Sequence, residues 1–184
     1  MAVAHPPFSF KGGRREKGVV LSFIGESLHK LDGKGRVSVP ADFRRVLEAA
    51  DPKWAEGLNP NVVIVYGGER RNYFECFSVE SYQDVQRRIL KLPRGSKKRK
   101  AMQRLYNTQA VSTTVDETGR LVLSAKLKEK LGLTDKVFFA GNGDTFEMWH
   151  PETYHEEMQE GLEADDDFDP DADPEIYLDG DDEY

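Results

Sequence analysis

The spacing of apolar residues changes along this chain, and the changes mark out its elements. A strand covers roughly Phe23 to Leu31, a tight turn follows at Asp32 to Gly35, and a second short strand holds Val37 and Val39. Pro40-Ala41 then opens a helix, since proline is tolerated at a helix start. Phe43, Val46, Leu47 and Ala50 recur at i, i+3, i+4 and i+7, one apolar face, while Arg44, Arg45 and Glu48 point away from it. Val62 to Tyr66 reads as a buried strand, Gly67-Gly68 begins a turn, and Tyr73 to Phe77 is the hairpin partner. A helix from about Val79 turns Tyr82, Val85, Ile89 and Leu92 inward. The plan then recurs: a β-branched strand from Ala110 to Val115, a turn at Gly119, inward Leu121 and Leu123, and a shorter helix from Lys126 to Leu131. A hairpin of Lys136 to Ala140 and Thr145 to Trp149 follows, and Pro151 starts a final helix.

The recurrence extends to residue identities. Leu31-Asp32-Gly33-Lys34-Gly35-Arg36-Val37 resembles Val115-Asp116-Glu117-Thr118-Gly119-Arg120-Leu121, 84 positions on. Phe74-Glu75-Cys76-Phe77 resembles Phe146-Glu147-Met148-Trp149, 72 positions on. Two matched blocks in one order imply a supersecondary unit used twice. The difference of offsets places an insertion in the first copy, assigned to the polar stretch Asp51 to Pro60. Each unit is too small to bury much surface alone, so the copies are expected to pack on each other or on another chain.

Charge changes the picture. The chain has 26 Lys and Arg against 33 Asp and Glu, a net −7, but residues 161 to 184 hold 12 acids and no base. The remainder is therefore basic, with 26 cations against 21 acids, which fits a polyanionic partner better than the overall charge suggests. Residues 87 to 104 carry nine cations (Arg87, Arg88, Lys91, Arg94, Lys97, Lys98, Arg99, Lys100, Arg104) and no acid, either a phosphate-holding patch or the solvated outer face of two helices. Lys11, Arg14, Arg15 and Lys17 stand among glycines in what reads as a flexible extension. The acidic tail reads as solubilising disorder; competition with that polyanion for the basic residues of the body is the sharper alternative, and Phe168, Ile176, Tyr177 and Leu178 leave room for a docking motif.

The Asp-x-x-Gly-Arg turn carries the chemistry. Asp32 accepts backbone N–H bonds and fixes the turn, and Gly35 supplies the positive φ that other residues avoid. Lys34 and Arg36 then leave a two-strand tip close together. Such a tip enters the major groove, where arginine bonds bidentately to guanine and lysine acts as a point charge on phosphate. One such turn alone is an ordinary hairpin with solvated cations. Its repetition at Asp116, Gly119 and Arg120 goes beyond turn geometry, which needs only the glycine and a polar neighbour.

The run from Leu31 to Arg44 resembles the signature of the MraZ family, and the likeness covers Ser22 to about Glu160, including Leu105-Tyr106-Asn107 ahead of the second copy. The resemblance implies an α+β fold of two pseudo-symmetric AbrB-like swapped-hairpin β-barrel halves with flanking helices. It implies a repressor of its own operon, in the division and cell-wall gene cluster, acting as a ring-shaped homo-oligomer on direct repeats in double-stranded promoter DNA. Lys34, Arg36 and Arg120 inherit the DNA-contact role by position, with Asp32, Gly35, Asp116 and Gly119 forming the turns. An antitoxin-like protein-interaction module of the same fold is the alternative. Thr118 stands where the first copy has Lys34, and Ser124 where it has Pro40, so the second turn offers less charge.

The resulting organisation is a flexible basic extension over 1–21, a first AbrB-like repeat over 22–92, a basic connecting helix over 93–107, a second repeat over 108–160 and a disordered acidic tail over 161–184. The single Cys76, in a strand setting, fits a small buried hydrophobe in a reducing compartment, and no metal-ligand spacing appears. Gly33-Lys34-Gly35 lacks the Gly-Lys-Ser/Thr of a phosphate loop, and neither His29 nor His150 has an obvious nucleophile. The expectation is a non-enzyme without cofactor or small-molecule substrate, cytoplasmic and nucleoid-associated, with no membrane span or secretory signal.

Overall fold

A computed structural model describes residues 21–161 and 169–178. The basic extension expected over 1–21 lies almost entirely outside them, as do the first and last parts of the acidic tail. Of the tail, 169–178 is described and holds one short 3-10 turn, Pro174–Tyr177.

In the first copy the strands are β1 (Glu26–Lys30), β2 (Arg36–Ser38), β3 (Asn61–Val65) and β4 (Tyr73–Phe77), with helices α1 (Ala41–Ala49) and α2 (Val79–Lys91). A connecting helix α3 (Lys97–Gln103) runs into a π-helical turn, Arg104–Thr108. The second copy has β5 (Ala110–Thr114), β6 (Arg120–Val122), β7 (Lys136–Asn142) and β8 (Thr145–Trp149), with α4 (Ala125–Lys130) and α5 (Pro151–Glu160). The expected elements all form, with ends moved by a few residues.

Six strands make one antiparallel sheet in the order β1-β7-β8-β4-β3-β5, and β2 and β6 pair separately. The order reads the same from either end once each strand is exchanged for its repeat equivalent, so a pseudo-twofold axis passes between β4 and β8. The copies pack by exchanging strands. β1 of the first copy lines the hairpin of the second, with Leu28 opposite Phe138; β5 of the second lines the hairpin of the first, with Ser112 opposite Val63. Each copy thus completes the other's sheet.

These pairings also locate the insertion. Val63 and Phe138 occupy equivalent places, so the offset is 84 at β1, 75 at β3 and 72 at β4. Most of the extra length lies in the loop from Asp51 to Pro60, as expected, but three residues belong to the β3–β4 connection. The longer loop is closed by Asp51, a buried carboxylate accepting bonds from Asn61 N (3.0 Å), Asn61 Nδ2 (2.8 Å) and Lys53 N (3.0 Å). Burial opposes its ionisation, but these donors outweigh it and hold its pKa below the ordinary aspartate value.

Strand alternation gives the sheet two apolar faces. Val62, Ile64, Phe74, Cys76, Val137, Phe139, Phe146 and Met148 point to the main core, joined there by Phe43, Val46 and Leu47 of α1, Leu127 of α4, and Val37, Val39, Leu121 and Leu123 beside the β2–β6 ribbon. Cys76 is the expected buried hydrophobe, its thiol pushed well above its usual range by burial. On the other face α5 brings Tyr154 onto Phe138 (4.1 Å between ring centroids), and α2 with the π-helical turn covers Val63, Val65 and Phe77. Between these covers, at the pseudo-axis, Glu75 and Glu147 stand directly opposite one another.

Candidate nucleic-acid interface

Both turns are built as the sequence indicates. Asp32 Oδ1 accepts from Lys34 N and Arg36 N, each at 2.9 Å, and Gly35 N donates to Asp32 O at 2.9 Å. Asp116 Oδ1 accepts from Thr118 N (2.8 Å) and Arg120 N (2.9 Å), and Gly119 N donates to Asp116 O at 2.9 Å. Gly35 and Gly119 take φ +79° and +78°. The Arg36 backbone N–H, then its side chain, hold Asp32 below the usual carboxylate pKa; the Thr118 side chain and Arg120 N–H do so for Asp116. Both carboxylates are therefore charged at neutral pH and keep the turns closed.

The turns are also tied to each other. Leu123 N donates to Gly35 O (2.7 Å) and Val39 N to Gly119 O (2.9 Å), a symmetric pair of bonds closing the two ends of the β2–β6 ribbon. Within it Arg36 faces Val122, Val37 faces Leu121 and Ser38 faces Arg120. Val37 and Leu121 are buried, so Arg36, Ser38, Arg120 and Val122 form the outward face. The arginines occupy diagonal positions, for which the spacing is roughly 7–8 Å. They line a shallow cleft of about 470 Å³ with Lys30, Asp32, Ser38 and Asp135.

The two arginines are not equivalent. Arg36 Nε donates to Asp32 Oδ2 at 2.7 Å, leaving its side chain 40% exposed, so it is tethered but not sequestered. At Asp116 the corresponding donor is the Thr118 hydroxyl (2.7 Å), and the exposed Arg120 side chain has no ion-pair partner among the described residues. Thr118 thus removes a cation from the tip, and its hydroxyl joins the turn amides on Asp116 Oδ1 rather than taking the Oδ2 position that Arg36 uses on Asp32. Lys34 is exposed at the first tip. Ser124, in place of a proline, caps α4 by accepting from Leu127 N at 3.4 Å.

Arg44 departs from expectation. Instead of pointing to solvent it lies against the second turn, where a Cβ on Gly119 would come within 2.4 Å of its Nη1, and its Nε is buried without a hydrogen-bond partner among the described residues. The repeat equivalent, Lys128 on α4, is also a cation but does not mark this contact, since a Cβ on Gly35 would meet the Leu123 backbone instead. His29 bonds Ser27 Oγ at 2.9 Å and packs edge-on to Phe139, burial lowering its pKa; it stands apart from this face. Among the described residues no group of three or more His, Cys, Asp or Glu is placed to hold a metal, and no helix is long and apolar enough to cross a membrane.

A family model described as "MraZ protein, putative antitoxin-like" matches residues 22–105 and 107–173. Transcriptional regulator MraZ of Ruegeria sp. (strain TM1040) is 55% identical over 159 residues, 86% of this chain and 95% of that protein. Its namesake from Ruegeria pomeroyi is 54% identical over the same shares, and that of Rickettsia bellii is 33% identical over 68% of this chain and 79% of its own length. With both copies of the turn inside the matched blocks and the two Ruegeria relatives aligned along 95% of their length, the chain belongs to the MraZ family.

Proposed function

We propose that this chain is a DNA-binding transcriptional regulator, a repressor of its own operon in the division and cell-wall gene cluster. In this reading the interleaved repeats form an AbrB-like swapped-hairpin unit, several copies assemble into a ring, and each presents Lys34, Arg36 and Arg120 to direct repeats in promoter DNA. It works in the cytoplasm at the nucleoid. The observation that carries the reading is the pair of arginines on one exposed ribbon face, held by turns whose glycines and carboxylates leave little freedom. A two-stranded ribbon fits the major groove, and a pre-ordered arginine loses less entropy on meeting guanine. The family name and the names of the relatives point the same way.

Weak contacts from several subunits multiply by avidity. Loss of one guanine contact costs about 1–3 kcal/mol, so Arg36→Ala and Arg120→Ala should each weaken binding to the chain's own upstream DNA roughly 5- to 150-fold per engaged subunit. The Arg36–Asp32 pair is half-exposed and contributes little to stability, so the first variant should stay folded. Fluorescence anisotropy across a salt series measures both: binding should fall with a log–log slope of about −0.9 per phosphate contact. Folded, oligomeric variants that bind as tightly as the parent chain would refute the assignment.

A further inference from the structure

α2 and α3 meet along their apolar faces but do not close. Tyr82 Oη donates to Tyr106 O (2.9 Å) and Gln86 Nε2 to Asn107 Oδ1 (2.8 Å), which fixes one end of the helix pair; the other end is left as an open groove of about 300 Å³. Ile89, Leu92 and Met102 line its apolar floor, and Arg88 and Lys98 stand on its rim. Of the nine cations between 87 and 104, two are engaged: Arg87 with Asp84, and Arg99 with the Leu90 and Leu92 carbonyls at the end of α2. The other seven have no bonded partner among the described residues. Four successive cations, Lys97 to Lys100, open α3 with no acid in its first turn, an arrangement the helix dipole disfavours. An apolar slot inside so dense a basic rim suits a segment that is itself apolar and acidic.

The chain carries such a segment. Pro174–Tyr177 forms a 3-10 turn that presents Ile176 and Leu178 at 59% and 80% exposure, flanked by Asp173, Glu175 and Asp179. Neither Ile176 nor Leu178 occupies the groove in this structure. We infer that the groove between α2 and α3 is a docking site for the chain's own tail at Pro174–Leu178, with Ile176 and Leu178 on the floor and the flanking carboxylates on the Arg88 and Lys98 rim. Docking within one chain is geometrically open. The 13 residues from Gly161 to Pro174 span up to roughly 45 Å, against a diameter of roughly 35–40 Å for a body of this size. A tether of that length gives an effective concentration on the order of millimolar at the chain's own groove. A docked tail would neutralise the helical patch and leave the ribbon face uncovered.

Zero-length carbodiimide coupling on the full chain, read by mass spectrometry, tests this. Coupling should join Glu175 or Asp179 to Lys97, Lys98 or Lys100. After reassembly of a mixture of ¹⁵N-labelled and unlabelled chains, the coupled pairs should be uniformly light or uniformly heavy. Arg88→Glu with Lys98→Glu should lower coupling at Lys97 and Lys100 roughly three- to tenfold through two lost ion pairs. Ile176→Ser with Leu178→Ser, which alters no charge and no residue of the folded body, should lower it by a similar factor. Coupling directed to Lys34, mixed light–heavy pairs, an absence of coupling, or insensitivity to the Ile176/Leu178 change would each overturn the inference.

Discussion

Gly35 offers the sharpest perturbation, because two separate costs fall on one methyl group. Its φ of +79° lies in the left-handed region, where an L side chain costs about 1–2 kcal/mol. An added Cβ would also sit 2.3 Å from the Leu123 carbonyl oxygen, a backbone atom that cannot rotate away. Relieving that contact pulls the ribbon end apart, at the expense of the 2.7 Å bond from Leu123 N to Gly35 O. Leaving those groups unpaired costs about 1–3 kcal/mol. The lower unfolded-state entropy of alanine returns roughly 0.5–1 kcal/mol. Gly35→Ala should therefore destabilise by about 2–4 kcal/mol, a fall in Tm of about 6–16 °C at some 3–4 °C per kcal/mol.

Gly33, two residues away in the same turn, is the internal control. Its φ is not positive and nothing lies within 4 Å of a Cβ built there, so Gly33→Ala should stay within about 0.5 kcal/mol of the parent chain. Gly119→Ala falls between the two. It meets the same φ penalty, but its Cβ would press on the Arg44 guanidinium, the far end of a side chain that can swing aside. Urea unfolding of the three variants, followed by circular dichroism, should give the order Gly35→Ala, Gly119→Ala, Gly33→Ala from least to most stable. Equal midpoints for Gly35→Ala and Gly33→Ala would refute the claim that the ribbon end is sterically locked at Gly35.

Glu147→Gln should stabilise the fold at neutral pH by a few tenths of a kcal/mol, toward the lower end of the roughly 0.2–1 kcal/mol of a like-charge pair directly across two strands, because Arg71 is already paired with Glu75 at 2.8 Å and the charged Glu147 accepts from Trp149 Nε1 at 2.9 Å. Burial, and then Glu75, raise the Glu147 pKa, so the folded form holds its proton more tightly than the unfolded chain does; the parent gains stability as pH falls through that raised value, and the advantage of the glutamine shrinks. Melts at several pH values check the trend, and a constant difference would refute it. Asp51→Ala strips the acceptor from two backbone amides and the Asn61 side chain and should cost about 2–4 kcal/mol by denaturant unfolding. The Asp51 pKa lies below its unfolded value, so this contribution is present above about pH 4 and disappears as pH falls through the folded-state value. Arg44→Met retains the packing on Gly119 and removes a buried nitrogen without a partner, so thermal unfolding should show a Tm equal to or above that of the parent.

The turns were legible in the sequence because the bonds that shape each one internally lie within five residues. The aspartate, its amide donors and the positive-φ glycine are neighbours, and their geometry follows from local rules. The apolar face of α1 was legible for the same reason, through its i, i+3, i+4 spacing. What local rules do not contain is which strand each apolar face meets. Residue patterning cannot say that Leu28 lies opposite Phe138, since any half-buried strand would present a similar edge. Arg44 shows the same limit at the scale of one side chain. Its helical position marks it as solvent-facing, and only the arrival of Gly119 from the other copy gives it a surface to lie on.

The exchange of strands also changes what the repetition means. Read along the chain, Arg36 and Arg120 belong to two turns 84 residues apart, each with its own tip. In the fold, β2 pairs with β6 rather than with a strand of its own copy, so the two turns end one ribbon and both arginines share its outer face. The unit that could meet a groove is therefore the pair. It exists only when both copies are folded, because Gly35 is held by Leu123 and Val39 by Gly119. A duplication that merely placed two basic hairpins on one chain would gain charge. This one gains a defined backbone register between two arginine positions on one face, so that both side chains could reach base edges in a single groove, and contacts to base edges rather than to phosphate are what discriminate among sequences.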